Sequence, residues 1–235
     1  PDSPQEDEIA LANMTALSFY HGIYFPAAFD QFVNRGIFFD GCSAADIAEW
    51  RARFVYLMRK LSKLQNGRRL LIKNPVYTAR LGFLREIFPR AKFVHIERNP
   101  YEVFQSMRNF YKKLFSEFAL QSYAHIDIDE TIFRVYERMM DTLAADARGL
   151  KAPDYVELPY VELDQGGLSA IERIYAALDL PGFDRARAPF AAYLASVKSF
   201  EKNRFAYSDD DARKVEARLG RFIERGGYRR PGIAA

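Results

Sequence analysis

The 235-residue sequence has almost no cysteine. Cys42 stands alone, which excludes an intrachain disulfide framework and a cysteine-based metal cluster. Histidine is nearly as scarce: His21, His95 and His125 are the only three, and none are paired at metal-ligand spacing. No run reaches the roughly 18 apolar residues that a membrane-spanning helix needs. Neither sign of charge dominates. There are 34 Lys and Arg against 31 Asp and Glu, and the net charge of +3 is too mild to imply a nucleic-acid partner, though it suits a local anion pocket. Repeats and low-complexity tracts are absent as well. The opening "PDSPQEDE" has neither an initiating methionine nor a signal-like apolar stretch, so we expect residues upstream of Pro1.

What remains is an ordinary globular composition, 49% apolar and 28% charged, with 20 Phe and 14 Tyr to fill a core. The length suits one large domain or two small ones. The lone cysteine leans toward a reducing, cytoplasmic compartment, with a lumenal setting as the alternative.

A helix is expected over residues 43–65, with Ser43 as N-cap, Asp46 three positions on, and Gly67 as the stop. Its apolar stripe includes Trp50, Phe54 and Met58. Residues 69–73 read as a short strand and 77–88 as a helix stopped by Pro89. Residues 93–97 read as a strand, 100–118 and 129–145 as helices, and 155–160 as a further strand. Helices follow at 167–178, after Pro189, and at 209–225. Strands alternating with helices predict an α/β fold with a parallel sheet covered by helices. The aromatic segment 19–39 either lines an acceptor pocket or packs helices.

The centre of the chain, "VHIERNPYEVFQS", sets a question. An apolar strand climbs to Arg98, Asn99 is a good N-cap, and Pro100 suits the first helical position. Ligands of parallel α/β sheets bind beyond the carboxyl ends of strands, where Arg98 lies, and a helix N-terminus offers positive dipole there. Arg98, Ser106 and the helix start therefore form a phosphate-sized anion site. The plain alternative is a strand-end surface charge and an incidental serine.

These residues resemble the sulfotransferases that use 3′-phosphoadenosine-5′-phosphosulfate (PAPS), in the broad bacterial and Golgi-type branch. The resemblance rests on "LLIKNP", then "FPRAKFVHIERNPYEVFQS", and then "PYVELDQ" and "FEKNRFAYS" in the family's order, with "PQEDE" similar to an acidic segment upstream. It implies a single sulfotransferase domain over residues 1–235, incomplete at its N-terminus. The implied fold is three-layered and P-loop-NTPase-like, with a central parallel sheet flanked by helices. The resemblance further implies that Arg98 and Ser106 bind the 3′-phosphate of PAPS or of its product PAP, and that Lys73 lies near the transferring sulfuryl group. Tyr160 is implied beside the adenine, with Lys202, Asn203 and Arg204 in a segment that closes over the nucleotide. Lys73 read alone is a strand-end lysine, Tyr160 a core tyrosine, and "EKNR" a solvated turn.

The family's other phosphate motif, a strand–loop–helix with a sequence like "PRSGTT", has no counterpart here. We expect the first strand and this loop upstream of Pro1; the alternative is a catalytically inactive nucleotide-binding or scaffold domain. Sulfuryl transfer needs positive charge on the leaving oxygen and a base for the acceptor. Lys73 suits the first role. Glu6, Asp7, Glu8 and His21 are candidates for the second, with Glu6 preferred. The partners implied are the nucleotide sulfate donor and a hydroxyl- or amine-bearing small-molecule, lipid or carbohydrate acceptor. No metal is required by this chemistry.

Overall fold

Ser43 opens the longest helix by a reciprocal cap. Its hydroxyl accepts the Asp46 N–H at 3.1 Å, and the Asp46 carboxylate accepts the Ser43 N–H at 2.9 Å. The helix, α4, runs Ala44–Leu64 and buries Trp50, Phe54 and Met58. It ends where Asn66 and Gly67 turn to positive φ. The structure, a computed structural model, describes residues 6–199 and 207–230. Before α4 come α1 (Asp7–Ala12), α2 (Tyr20–Tyr24) and α3 (Phe29–Phe38); after it come a 3-10 turn (Pro75–Ala79), α5 (Leu81–Ile87), β1 (Phe93–Glu97) and α6 (Pro100–Phe118). The chain continues through α7 (Ile128–Asp146), β2 (Tyr155–Pro159), α8 (Tyr160–Gly166), α9 (Leu168–Ala177), α10 (Phe183–Ser196) and α11 (Asp209–Gly226).

Two compact units form. The first comprises Pro1–Ile87, Asn109–Thr131 and Arg138–Asp146; the second comprises Phe88–Arg108, Ile132–Glu137 and Ala147–Ala235. The core of the first unit is aromatic. Phe29 meets Tyr111 and Phe115 edge-on at 5.6 and 5.2 Å, and Trp50 stacks on Phe54 at 5.0 Å. Helix packing is thus what the aromatic segment visibly does. Gly36 is required there: a β-carbon would lie 2.3 Å from the Phe19 backbone nitrogen, so α3 backs directly onto the Ser18–Phe19 chain.

In the second unit β1 and β2 pair in parallel, with Phe93 opposite Tyr155 and Glu97 opposite Pro159. Arg225 of α11 reaches Glu97 at 3.4 Å and Glu157 at 3.8 Å, tying the last helix to both strands. The first turns of α6 are bonded to α11 as well. The Tyr101 hydroxyl donates to Glu216 at 2.9 Å, while Gln105 and Arg108 donate to Asp211 at 2.9 and 2.8 Å.

The expected central sheet is, among the described residues, this two-stranded parallel pair in a mostly helical chain. Residues 69–73 form no strand, because a strand is defined by its ladder and none of the described segments pairs with them. The helix expected over 77–88 divides into the 3-10 turn and α5. Pro189 does not precede α10 but lies inside it, where it has no N–H to offer the Arg185 carbonyl; the helix is exposed there, so water can serve.

Candidate active site

The acidic residues near the N-terminus enter a buried network in the first unit. Glu8 is fully buried and Asp7 nearly so. The Asn74 side-chain amide donates to both, at 3.1 Å to Asp7 Oδ1 and 3.1 Å to Glu8 Oε2. Ser18 donates to Glu8 Oε1 at 2.7 Å, and the Tyr77 hydroxyl donates to Asp7 Oδ2. All four carboxylate oxygens therefore accept a hydrogen bond. Burial raises both carboxyl pKa values above their ordinary 3.8 and 4.5; Tyr77 and Asn74 oppose the rise at Asp7, and the Arg80 charge opposes it at Glu8. Burial and the Asp7 charge push the Tyr77 phenol far up, so it remains a donor.

The local backbone explains the convergence. Asn74 Oδ1 accepts the Val76 N–H at 3.0 Å and starts the 3-10 turn, with Pro75 first in it. A 3-10 helix has three residues per turn, so Asn74, Tyr77 and Arg80 fall in one row. Arg80 is 2% exposed. Its Nε donates to the Ile37 carbonyl at 3.0 Å and its Nη2 to the Gly36 carbonyl. The guanidinium lies 4.0 Å from the Phe39 ring centre and 4.6 Å from that of Trp50. Burial brings its pKa down to about 10, so it stays charged at neutral pH.

Glu6 and Lys73 form an ion pair beside this network, with Lys73 76% exposed and Glu6 partly covered. Among the described residues Glu6 Oε2 receives no hydrogen bond. His21 donates from Nε2 to the Ala12 carbonyl at 2.8 Å, since a carbonyl only accepts; it ties α2 to the end of α1.

The raised carboxyl values have a sign for stability. The folded state holds these protons more tightly than the unfolded chain. The pair's stabilising contribution is complete below the ordinary values of 3.8 and 4.5 and is lost as pH rises through the raised folded values. Glu8→Gln cannot ionise, so it should gain stability relative to the parent as pH rises. Urea midpoints for both proteins across about pH 4 to 8 check this, and parallel curves would contradict it.

In the second unit the site residues follow from strand register. Glu97 and Pro159 are the last opposed pair, so Arg98 and Tyr160 leave the two strands side by side. The exposed Arg98 guanidinium lies 4.3 Å from the centre of the Tyr160 ring. Among the described residues Arg98 donates no hydrogen bond and forms no ion pair. Asn99 Oδ1 accepts the Tyr101 N–H at 3.1 Å and caps α6 at that point. Successive helical residues turn by about 100°, so half-buried Ser106 falls off the stripe that Tyr101, Gln105 and Arg108 commit to α11. Its hydroxyl makes no hydrogen bond among the described residues. Glu162 pairs locally with Arg173 at 2.9 Å. Lys202, Asn203 and Arg204 lie outside the described residues.

The structure thus joins Glu6 with Lys73, Asp7 with Glu8, and Arg98 with Tyr160. Ser18, Asn74, Tyr77 and Arg80 were not singled out in the sequence. The signal for the last three is their spacing by threes after "NP". No group of three or more His, Cys, Asp or Glu among the described residues could hold a metal ion, and no described helix is long and apolar enough to cross a membrane.

The profile of the sulfotransferase family matches residues 34–185. Two curated relatives, from Mycobacterium bovis and Mycobacterium tuberculosis, are named omega-hydroxy-beta-dihydromenaquinone-9 sulfotransferase Stf3; each is 25% identical over 227 residues, 97% of this chain and 58% of the relative. The chain therefore spans little more than half the length of those proteins. The crystal structure of sulfotransferase STF9 from Mycobacterium avium superposes with a TM-score of 0.70 at 16% identity, covering 98% of this chain and 58% of that one, which establishes the fold. With the family profile matching more than half of its residues, the chain belongs to the sulfotransferase family.

Proposed function

We propose that the protein transfers a sulfuryl group from PAPS to a hydroxyl on an apolar small molecule or lipid, as a single sulfotransferase domain. The observation that carries the donor assignment is Arg98: a guanidinium held against the Tyr160 ring beside a capped helix start, with no acceptor of its own among the described residues. A planar, stacked guanidinium suits bidentate binding of a phosphate, and Ser106 adds an uncommitted hydroxyl. When bound, PAPS supplies an activated sulfuryl group for in-line displacement, with charge spread over its oxygens. Lys73, exposed and paired with Glu6, would offset charge on the departing oxygen. Glu6 takes the acceptor proton through its uncommitted oxygen, while Asp7 and Glu8, fully engaged by Asn74, Tyr77 and Ser18, hold the segment that presents it. The acceptor class is supported by the relatives, whose name specifies a hydroxylated dihydromenaquinone. Tyr160 would lie along the adenine, and Lys202, Asn203 and Arg204 would close over the nucleotide.

Calorimetric titration tests the donor assignment on the longest chain that contains this sequence. Adenosine 3′,5′-bisphosphate should bind at least tenfold more tightly than 5′-AMP, the return on one charge-assisted phosphate contact. Equal affinities would mean that no 3′-phosphate is read, and the assignment would fall.

A further inference from the structure

Between Arg51 and Lys73 the chain has eight Lys and Arg and no Asp or Glu. Removing those eight from 34 leaves 26 basic residues against 31 acidic ones elsewhere, a net of −5, so the positive charge of this protein is concentrated in one segment. The structure displays that segment on a surface of the first unit. Tyr56, Arg59, Lys60 and Lys63 recur at helical spacing on α4, away from the buried Trp50, Phe54 and Met58, and all four are exposed. Arg68 and Arg69 follow, also exposed, just past the Gly67 turn. Arg51, Arg59, Lys60, Lys63, Arg68 and Arg69 form no ion pair among the described residues, whereas Arg53 is held by Glu49 at 3.3 Å. Apolar groups sit among these charges: Leu64 is 75% exposed and Tyr56 55% exposed, with Lys60 Nζ 5.6 Å from the Tyr56 ring centre.

We propose that this face of α4 and the turn after it docks the protein on an anionic lipid bilayer. Unpaired lysines and arginines on one helix face complement a negatively charged headgroup layer. An exposed leucine and tyrosine among them suit the bilayer interface, where apolar side chains enter the acyl boundary and a tyrosine ring lies at headgroup level. Nucleic acid would use the charges but gives Leu64 nothing to do. The proposal goes beyond the transfer reaction and stands without it.

Co-sedimentation with sucrose-loaded vesicles tests it. The chain should pellet with vesicles of phosphatidylglycerol mixed into phosphatidylcholine and stay in solution with phosphatidylcholine alone. Each basic residue near such a surface contributes on the order of a fivefold change in partitioning, so Arg59→Glu with Lys60→Glu and Lys63→Glu should weaken binding by more than about a hundredfold. Leu64→Ser should weaken it severalfold at unchanged charge. Equal binding to both vesicle types, no binding to either, or a triple variant that pellets like the parent would overturn the proposal. So would competition by duplex DNA together with an unaffected Leu64→Ser, which would assign the face to nucleic acid. All four substituted residues are exposed, and none belongs to the Arg98 or Lys73 sites, so bisphosphate titration of the same variants reports separately on nucleotide binding.

Discussion

Arg80→Ala is expected to remove about 3–5 kcal/mol of stability and to lower the melting temperature by on the order of 10 °C. The size follows from what arginine does at that position. It is 2% exposed, it donates to the carbonyls of Gly36 and Ile37, and its charge opposes the burial of Glu8. Alanine leaves two buried carbonyls without that donor, a carboxylate without its compensating charge, and a void against Phe39 and Trp50. Urea unfolding measures the loss. Arg80→Met combined with Glu8→Gln should recover part of it, because the buried charge disappears with its partner. A double variant no more stable than Arg80→Ala would show that the lost carbonyl bonds, not the charge, dominate.

Arg98→Ala is expected to weaken adenosine 3′,5′-bisphosphate binding by roughly 10- to 150-fold, the range for a hydrogen bond to a charged group, with no change in unfolding midpoint. The side chain is exposed and its contact among the described residues is the Tyr160 ring, so stability has little to lose. Arg98→Lys should recover only a fraction, since an ammonium keeps the charge but loses the planar fork and the stacking. Binding of 5′-AMP should be indifferent to either change. Calorimetric titration of both nucleotides reads all of this; a bisphosphate affinity equal to the parent's would remove Arg98 from the phosphate site.

The parts legible in the sequence were those with local causes. β1 and α6 fall at the residues expected, because an apolar run, Asn99 and Pro100 mark their junction in consecutive positions. Ser43 and Asp46 likewise fixed the start of α4 through bonds three residues apart. Residues 69–73 misled because apolar composition alone does not make a strand; a neighbouring ladder does. Arg98 and Tyr160 could be named from motifs, but their stacking comes from a register joining segments about sixty residues apart in the chain. The carboxylate network was the least legible. Its members, Glu8, Ser18, Asn74, Tyr77 and Arg80, are scattered, and the row of three was concealed because a helix of 3.6-residue period was expected where the chain winds at three.

The position of Pro75 immediately after Asn74 has a chemical consequence over the life of the molecule. Asparagine ages when the amide nitrogen of the next residue attacks its side chain and closes a succinimide ring, which opens to aspartate or isoaspartate. Proline has no N–H with which to do this. At Asn74 the product would set a third carboxyl group against Asp7 and Glu8 and remove the one donor they share. The same ring that starts the 3-10 turn therefore shields the amide at the centre of the network from spontaneous deamidation.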